Sequence, residues 1–136
     1  MARRLPVAHP APAPIVPGAA LRTFFNIAKA WSLSEQQTMT LLGFDASTRS
    51  TYFKWKKDPD SARLGRDKLE RLSYVFGIYK ALQLLLPEPA AADGWLHRPN
   101  QAAPFGGRPA LERLMSGNVA DLYVVREYLD TARGWS

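Results

Sequence analysis

Between Ser47 and Lys57 the chain reads Ser-Thr-Arg-Ser-Thr-Tyr-Phe-Lys-Trp-Lys-Lys. Ser47, Thr48, Arg49, Ser50 and Thr51 put hydroxyl and guanidinium donors at the head of one helical stretch, the residue types that reach phosphates and base edges. Lys54, Lys56 and Lys57 add cations that neutralise backbone charge, each one raising the salt dependence of binding. The chemistry on offer is recognition of a polyanion. Tyr52 and Trp55 lie one turn apart and are expected to face a core, which leaves Phe53 pointing away from both. Catalytic chemistry is hard to assemble from the rest. The chain has no cysteine, and His9 and His97 are far apart and outside any metal-ligand spacing. There is no Walker-type phosphate loop, no His-carboxylate constellation and no activated nucleophile. Neither an enzyme nor a bound cofactor is expected.

The elements that must position this basic stretch are helical. Five prolines at 6, 10, 12, 14 and 17 mark residues 1–17 as an extended or disordered arm. Leu21, Phe24, Phe25, Ala28 and Trp31 then recur at helical spacing. Ser34 and Gln37 stand at capping-box spacing and open a second helix that ends at Leu41-Leu42-Gly43, with glycine in the left-handed position beyond the end. A third helix starts near Ser47 or Thr48 and stops at Asp58-Pro59. A long helix follows from about Arg66 to Leu86, with an expected apolar stripe of Leu69, Leu72, Phe76, Tyr79, Leu82 and Leu86. Gly77 within it suggests close packing or a slight bend. Glu88–Gly94 reads as a linker, Pro99-Asn100 and Phe105-Gly106-Gly107 as bends, Ala110–Met115 as a short helix and Val119–Ala132 as the last one. No stretch alternates as a strand does, so the fold class is all-α.

Charge divides the chain. Residues 1–87 carry 13 Lys and Arg against 6 Asp and Glu, a balance of +7, whereas residues 88–136 carry 5 against 6, a balance of −1. A polyanion partner belongs to the first part and a different partner to the second. At 136 residues the chain suits one compact domain, or a small domain with an appended module. No apolar run is long enough to span a membrane, and the start lacks the apolar core of a secretory signal. A cytoplasmic location is expected.

Two short helices joined by a glycine-led turn, the second of them basic, resemble a helix-turn-helix. Two departures stand out. Met39 occupies the place of a usual small residue, and the turn is about three residues longer than the short form. Further on, Trp95-Leu96, Pro99-Asn100, Phe105-x-Gly107-Arg108-Pro109, Leu111 to Gly117 and Val125-Arg126-x-Tyr128-Leu129 look like the toxin-binding domain of Xre/MbcA/ParS-type antitoxins. Residues 18–87 resemble the Xre-like helix-turn-helix domain that precedes it in those proteins, and the resemblance makes residues 88–136 the corresponding toxin-binding part.

That resemblance implies an antitoxin of a type II toxin-antitoxin system whose partner is a RES-domain toxin, an enzyme that degrades NAD⁺. It further implies that the C-terminal region blocks the toxin's active site, that the protein forms a homodimer, and that it regulates its own operon by binding operator DNA. Carried onto this sequence, the toxin-binding residues are Arg126, Tyr128, Arg133, Trp135 and Ser136. Trp135 is the residue type that anchors interfaces, Arg133 offers a charge-assisted contact to an acidic residue of the partner, and the carboxylate at Ser136 suits a site that receives a pyrophosphate. The DNA-binding residues are Ser47, Thr48, Arg49, Ser50, Thr51, Lys54 and Lys57. The rival reading is a stand-alone helix-turn-helix regulator whose C-terminal module dimerises or senses a ligand.

Overall fold

The computed structural model describes residues 16–134, and all of their regular structure beyond one isolated β-bridge is helical. The expected arm lies almost wholly outside the described residues, as do Trp135 and Ser136. Helix α1 spans Pro17–Ala30, with Pro17 in its first turn, where a missing N–H costs nothing. It buries Leu21, Phe24, Ile27 and Ala28, and Trp31 closes its end. Phe25 sits half-buried at the edge of that face, its ring 5.9 Å from Tyr52.

Helix α2, Glu35–Leu41, opens on the expected capping box: the Gln37 amide donates to Ser34 Oγ at 3.1 Å, and the Ser34 amide to Gln37 Oε1 at 2.9 Å. Gly43 takes φ +83°, the left-handed turn that ends the helix. The turn's extra length is used by a 3₁₀ segment, Ala46–Thr48, which leads directly into α3, Arg49–Lys57. Met39 does not sit between the helices as an obstacle to folding. It is 1% exposed, part of the core, and its carbonyl accepts from the Phe44 amide that starts the turn.

Helix α4, Arg66–Leu85, is the long one, and it is packed on two sides, by α1 and by the last helix, α7, Val119–Ala132. Its buried residues are Arg71, Leu72, Val75, Ile78, Ala81 and Leu82. The single stripe expected from spacing is thus only partly right. Phe76, Tyr79 and Leu86 are half-buried flanks, because a helix with two neighbours is apolar over most of its circumference and its periodicity blurs. The stretch expected as a linker contains helix α5, Pro89–Gly94, in which proline at the start and three alanines favour the helix and Ala92 is buried. A 3₁₀ turn, Trp95–His97, and helix α6, Ala110–Leu114, complete the frame.

Along α7, Leu122, Val125 and Leu129 are buried against α4 and α6, each worth about 2 kcal/mol of apolar transfer. The two long helices run in the same direction. Arg71 meets Gly117 just before α7, the rings of Tyr74 and Tyr123 lie 6.0 Å apart, and the Arg126 guanidinium lies against Gly77. A single hydrophobic cluster reaches from Ala20 to Leu129, so both halves of the sequence share one core.

Candidate functional site

The basic stretch presents one outward face. With Tyr52 and Trp55 buried, helical geometry points Ser50, Phe53, Lys54 and Lys57 to the opposite side, with Arg49 on one flank and Thr51 on the other. All of these are exposed. Ser47 and Thr48 behave differently. Asp45 caps the 3₁₀ segment by accepting from the Ser47 and Thr48 amides at 2.9 and 3.1 Å, and it also accepts from both hydroxyls, at 2.6 and 3.1 Å. The Ser47 hydroxyl, then that of Thr48, hold the Asp45 carboxyl below its ordinary range. Two of the donors expected at the head of the helix are therefore engaged within the chain, beside a fixed negative charge.

Lys56 is engaged as well. Its Nζ lies 2.6 Å from Glu35 Oε1, while the Tyr52 hydroxyl donates to Glu35 Oε2 at 2.9 Å. Lys56 above all holds the Glu35 carboxyl low, against an opposing effect of burial, and Tyr52 assists. Burial, with Glu35 adding to it, pushes the Tyr52 phenol far above its usual range, so it remains a donor. This triangle fixes α3 to the first turn of α2. The turn between them is fixed from α4: Lys68 Nζ donates to the Gly43 carbonyl at 3.1 Å and stands 4.5 Å over the Phe44 ring.

Arg71 ties this basic part to the C-terminal one. Its side chain lies against Gly43, so close that any Cβ there would overlap it. The Nε group pairs with Asp67 at 3.0 Å, and Nη2 donates to the Gly117 carbonyl at 2.7 Å. Partial burial pushes the Asp67 carboxyl up, but Arg71 and Lys68 together outweigh it and hold the carboxyl low.

The second surface is aromatic. Trp95 and Tyr128 stack with centroids 6.2 Å apart, and Phe105 meets each ring edge-on, at 5.9 and 5.1 Å. These three rings join the 3₁₀ turn, the Gly-Gly bend and α7. Beside them lies a cleft of about 200 Å³ between the C-terminal ends of α4 and α7, lined by Leu82, Leu85, Leu86, Trp95, Tyr128, Leu129 and Ala132. Tyr128 thus serves packing and cleft wall together. Arg126 of α7 turns away from the cleft toward α4: it pairs with Asp130 at 3.3 Å and donates to the Ser73 carbonyl at 3.3 Å. The Arg133 side chain is largely covered and lies 3.9 Å from Asp130.

Phe53 and the cleft residues Leu82, Leu86 and Trp95 were not among the expected contacts. Phe53 was detectable by its phase relative to Tyr52 and Trp55. The cleft joins residues nearly fifty positions apart and has no local signal. Among the described residues there is no group of three or more His, Cys, Asp or Glu able to hold a metal, and no helix is long and apolar enough to cross a membrane.

A helix-turn-helix with an exposed basic face shares its long helix with a second helical module that ends in an apolar cleft. The chain belongs to the Xre/MbcA/ParS-type antitoxins. Residues 10–77 match the antitoxin Xre-like helix-turn-helix domain, and residues 81–134 match the antitoxin Xre/MbcA/ParS C-terminal toxin-binding domain. It is accordingly a type II antitoxin with a toxin as partner. A curated relative, the uncharacterized protein y4oB of Sinorhizobium fredii (strain NBRC 101917 / NGR234), is 45% identical over 116 residues, which cover 85% of each chain.

Proposed function

We propose that this antitoxin neutralises a RES-domain, NAD-degrading toxin by blocking its active site with the C-terminal region, and that it regulates its operon through the outward face of α3. The observation that carries the first part is the aromatic-walled cleft at the end of α7, adjoining the point where residues 133–136 continue. An apolar recess walled by aromatic rings seats an anchor from a partner, while Arg133, Trp135 and Ser136 extend the contact toward the toxin's substrate pocket. Tyr128 contributes its ring to the recess wall. Arg126 supports the surface from behind by fixing α7 on α4. The division of labour runs 1–17 arm, 18–87 DNA-facing part and 88–136 toxin-facing part. A homodimer is part of this reading, supported by Leu84 and Tyr123, large apolar side chains 57% and 49% exposed on α4 and α7.

The test is co-expression with the toxin encoded by the adjacent reading frame. Wild-type chain is expected to restore growth and cellular NAD⁺. A chain lacking residues 133–136 is expected to fold, to co-purify more weakly and to leave NAD⁺ depleted. Full protection by the shortened chain would sink the plugging role. Failure of the wild-type chain to co-purify with the toxin would favour the stand-alone regulator.

A further inference from the structure

We propose that Phe53 is a base-reading residue that selects thymine through its C5-methyl group. The inference rests on the reading of α3 as the helix that enters the DNA major groove. Phe53 is 36% exposed, an unusual position for an aromatic ring on a helix whose other aromatics, Tyr52 and Trp55, are 0% and 8% exposed. It is left out of the hydrophobic cluster and touches it only at its edge, through Tyr52. It stands on the outward face, one turn from Arg49, Ser50 and Lys57 and next to Lys54. No other large apolar side chain among the described residues of α3 is exposed.

The ring is also held. Tyr52 meets it edge-on at 5.1 Å, and the Arg49 guanidinium sits 4.8 Å from its centroid. A flat apolar group fixed from two sides, with Arg49 against it and Lys54 and Lys57 on the same helix face, fits a surface that is anionic at its borders and apolar at one point. The major groove has that character: phosphates line its edges, and thymine alone of the four bases projects a methyl group into it. Stacking on a base, the other use of an exposed ring, requires an unpaired strand, whereas a helix lying in the groove meets base edges. Lys54 and Lys57 would then take phosphates, and Arg49, braced on the ring, a phosphate or a guanine edge beside the thymine.

The experiment uses the full chain and a duplex selected by it from a randomised 30-base-pair pool. Each thymine is replaced in turn by deoxyuridine, which removes the methyl group and nothing else. Wild-type protein is expected to lose on the order of fourfold in affinity at one thymine per half-site, the value of one buried methyl. Phe53→Ala, at an exposed helical position that alanine favours, is expected to bind the thymine and uracil duplexes equally and to keep the wild-type salt slope. Lys54→Ala is expected to lower that slope by about one while retaining the preference for thymine. Tight binding that is indifferent to uracil at every position overturns the proposal and leaves the DNA reading intact. Failure of the wild-type chain to select any duplex, alone or with its toxin, overturns both. Loss of self-association or toxin binding in Phe53→Ala, with the thymine preference unchanged, assigns the ring to a protein interface and overturns the proposal.

Discussion

Arg126 makes a contact between α7 and α4 within the fold. Its guanidinium occupies the space that a side chain on Gly77 would fill, while it pairs with Asp130 and caps the Ser73 carbonyl. Glycine in mid-helix costs about 1 kcal/mol relative to alanine, and here that cost makes room for the cross-helix contact. A double-mutant cycle should expose the coupling. In an Arg126→Ala background, Gly77→Ala is expected to stabilise the protein by about 1 kcal/mol, the full helix-propensity gain. In the wild-type background the same change should gain less than half of that, because Arg126 must leave its place. Urea denaturation of the four proteins gives both values, and equal gains in the two backgrounds would separate Gly77 from Arg126. The hydroxyls of Ser47 and Thr48 suit DNA and are likewise engaged within the fold, by Asp45.

Helices α2 and α3 depend on a few polar links as much as on apolar burial. Glu35 accepts from Lys56 and Tyr52, and its carboxyl is held below the usual value. A carboxyl depressed in the folded state contributes stability above its unfolded pKa of about 4.3 and loses that contribution as pH falls through the lower folded value. The difference in melting temperature between wild type and Glu35→Gln should thus be largest at about pH 6 and narrow steadily toward about pH 3. Circular dichroism melts across that range check it, and a constant difference would remove Glu35 from the acid response. These links also mark what could be read in advance. Ser34 and Gln37 announced α2, Gly43 its end, and the phase of Tyr52 and Trp55 the orientation of α3, because each is encoded within a turn or two of chain. Helix α5 carries no such signal, because Pro87, Pro89 and Gly94 read as turn residues and the segment is too short to show a period. The faces of α4 are obscured for the opposite reason, since two helices pack on it and periodic contrast disappears. For the sites, the exposed basic face was legible. The capture of Ser47 and Thr48 by Asp45, and the cleft between the ends of α4 and α7, depend on tertiary placement.

At the scale of the molecule, Arg71 is the link between the two surfaces. It touches Gly43 in the turn of the helix-turn-helix and Gly117 at the head of α7, and it is 8% exposed. Truncating a buried, hydrogen-bonded arginine leaves the Gly117 carbonyl and Asp67 short of a partner, which costs about 2 kcal/mol or more. Arg71→Ala is expected to lower stability by that amount in one cooperative transition seen alike by Trp fluorescence and far-ultraviolet circular dichroism. Two separated transitions would show that the halves unfold independently. A single hydrophobic cluster runs through both, so the halves share one core.

Helix α4 carries a consequence for how such proteins diversify. The two family matches meet between residues 77 and 81, inside a helix that spans Arg66–Leu85. A new toxin specificity acquired by exchanging everything beyond that point would bring a foreign last helix to a long helix whose glycine, arginine and leucines were fitted to the old one. The heritable unit of toxin recognition is accordingly larger than the domain that recognises the toxin: it includes α4, and through Arg71 and Lys68 it extends to the turn before α3. Partner choice is thereby tied to the long helix, and a lineage that changes its toxin must retune α4 with it.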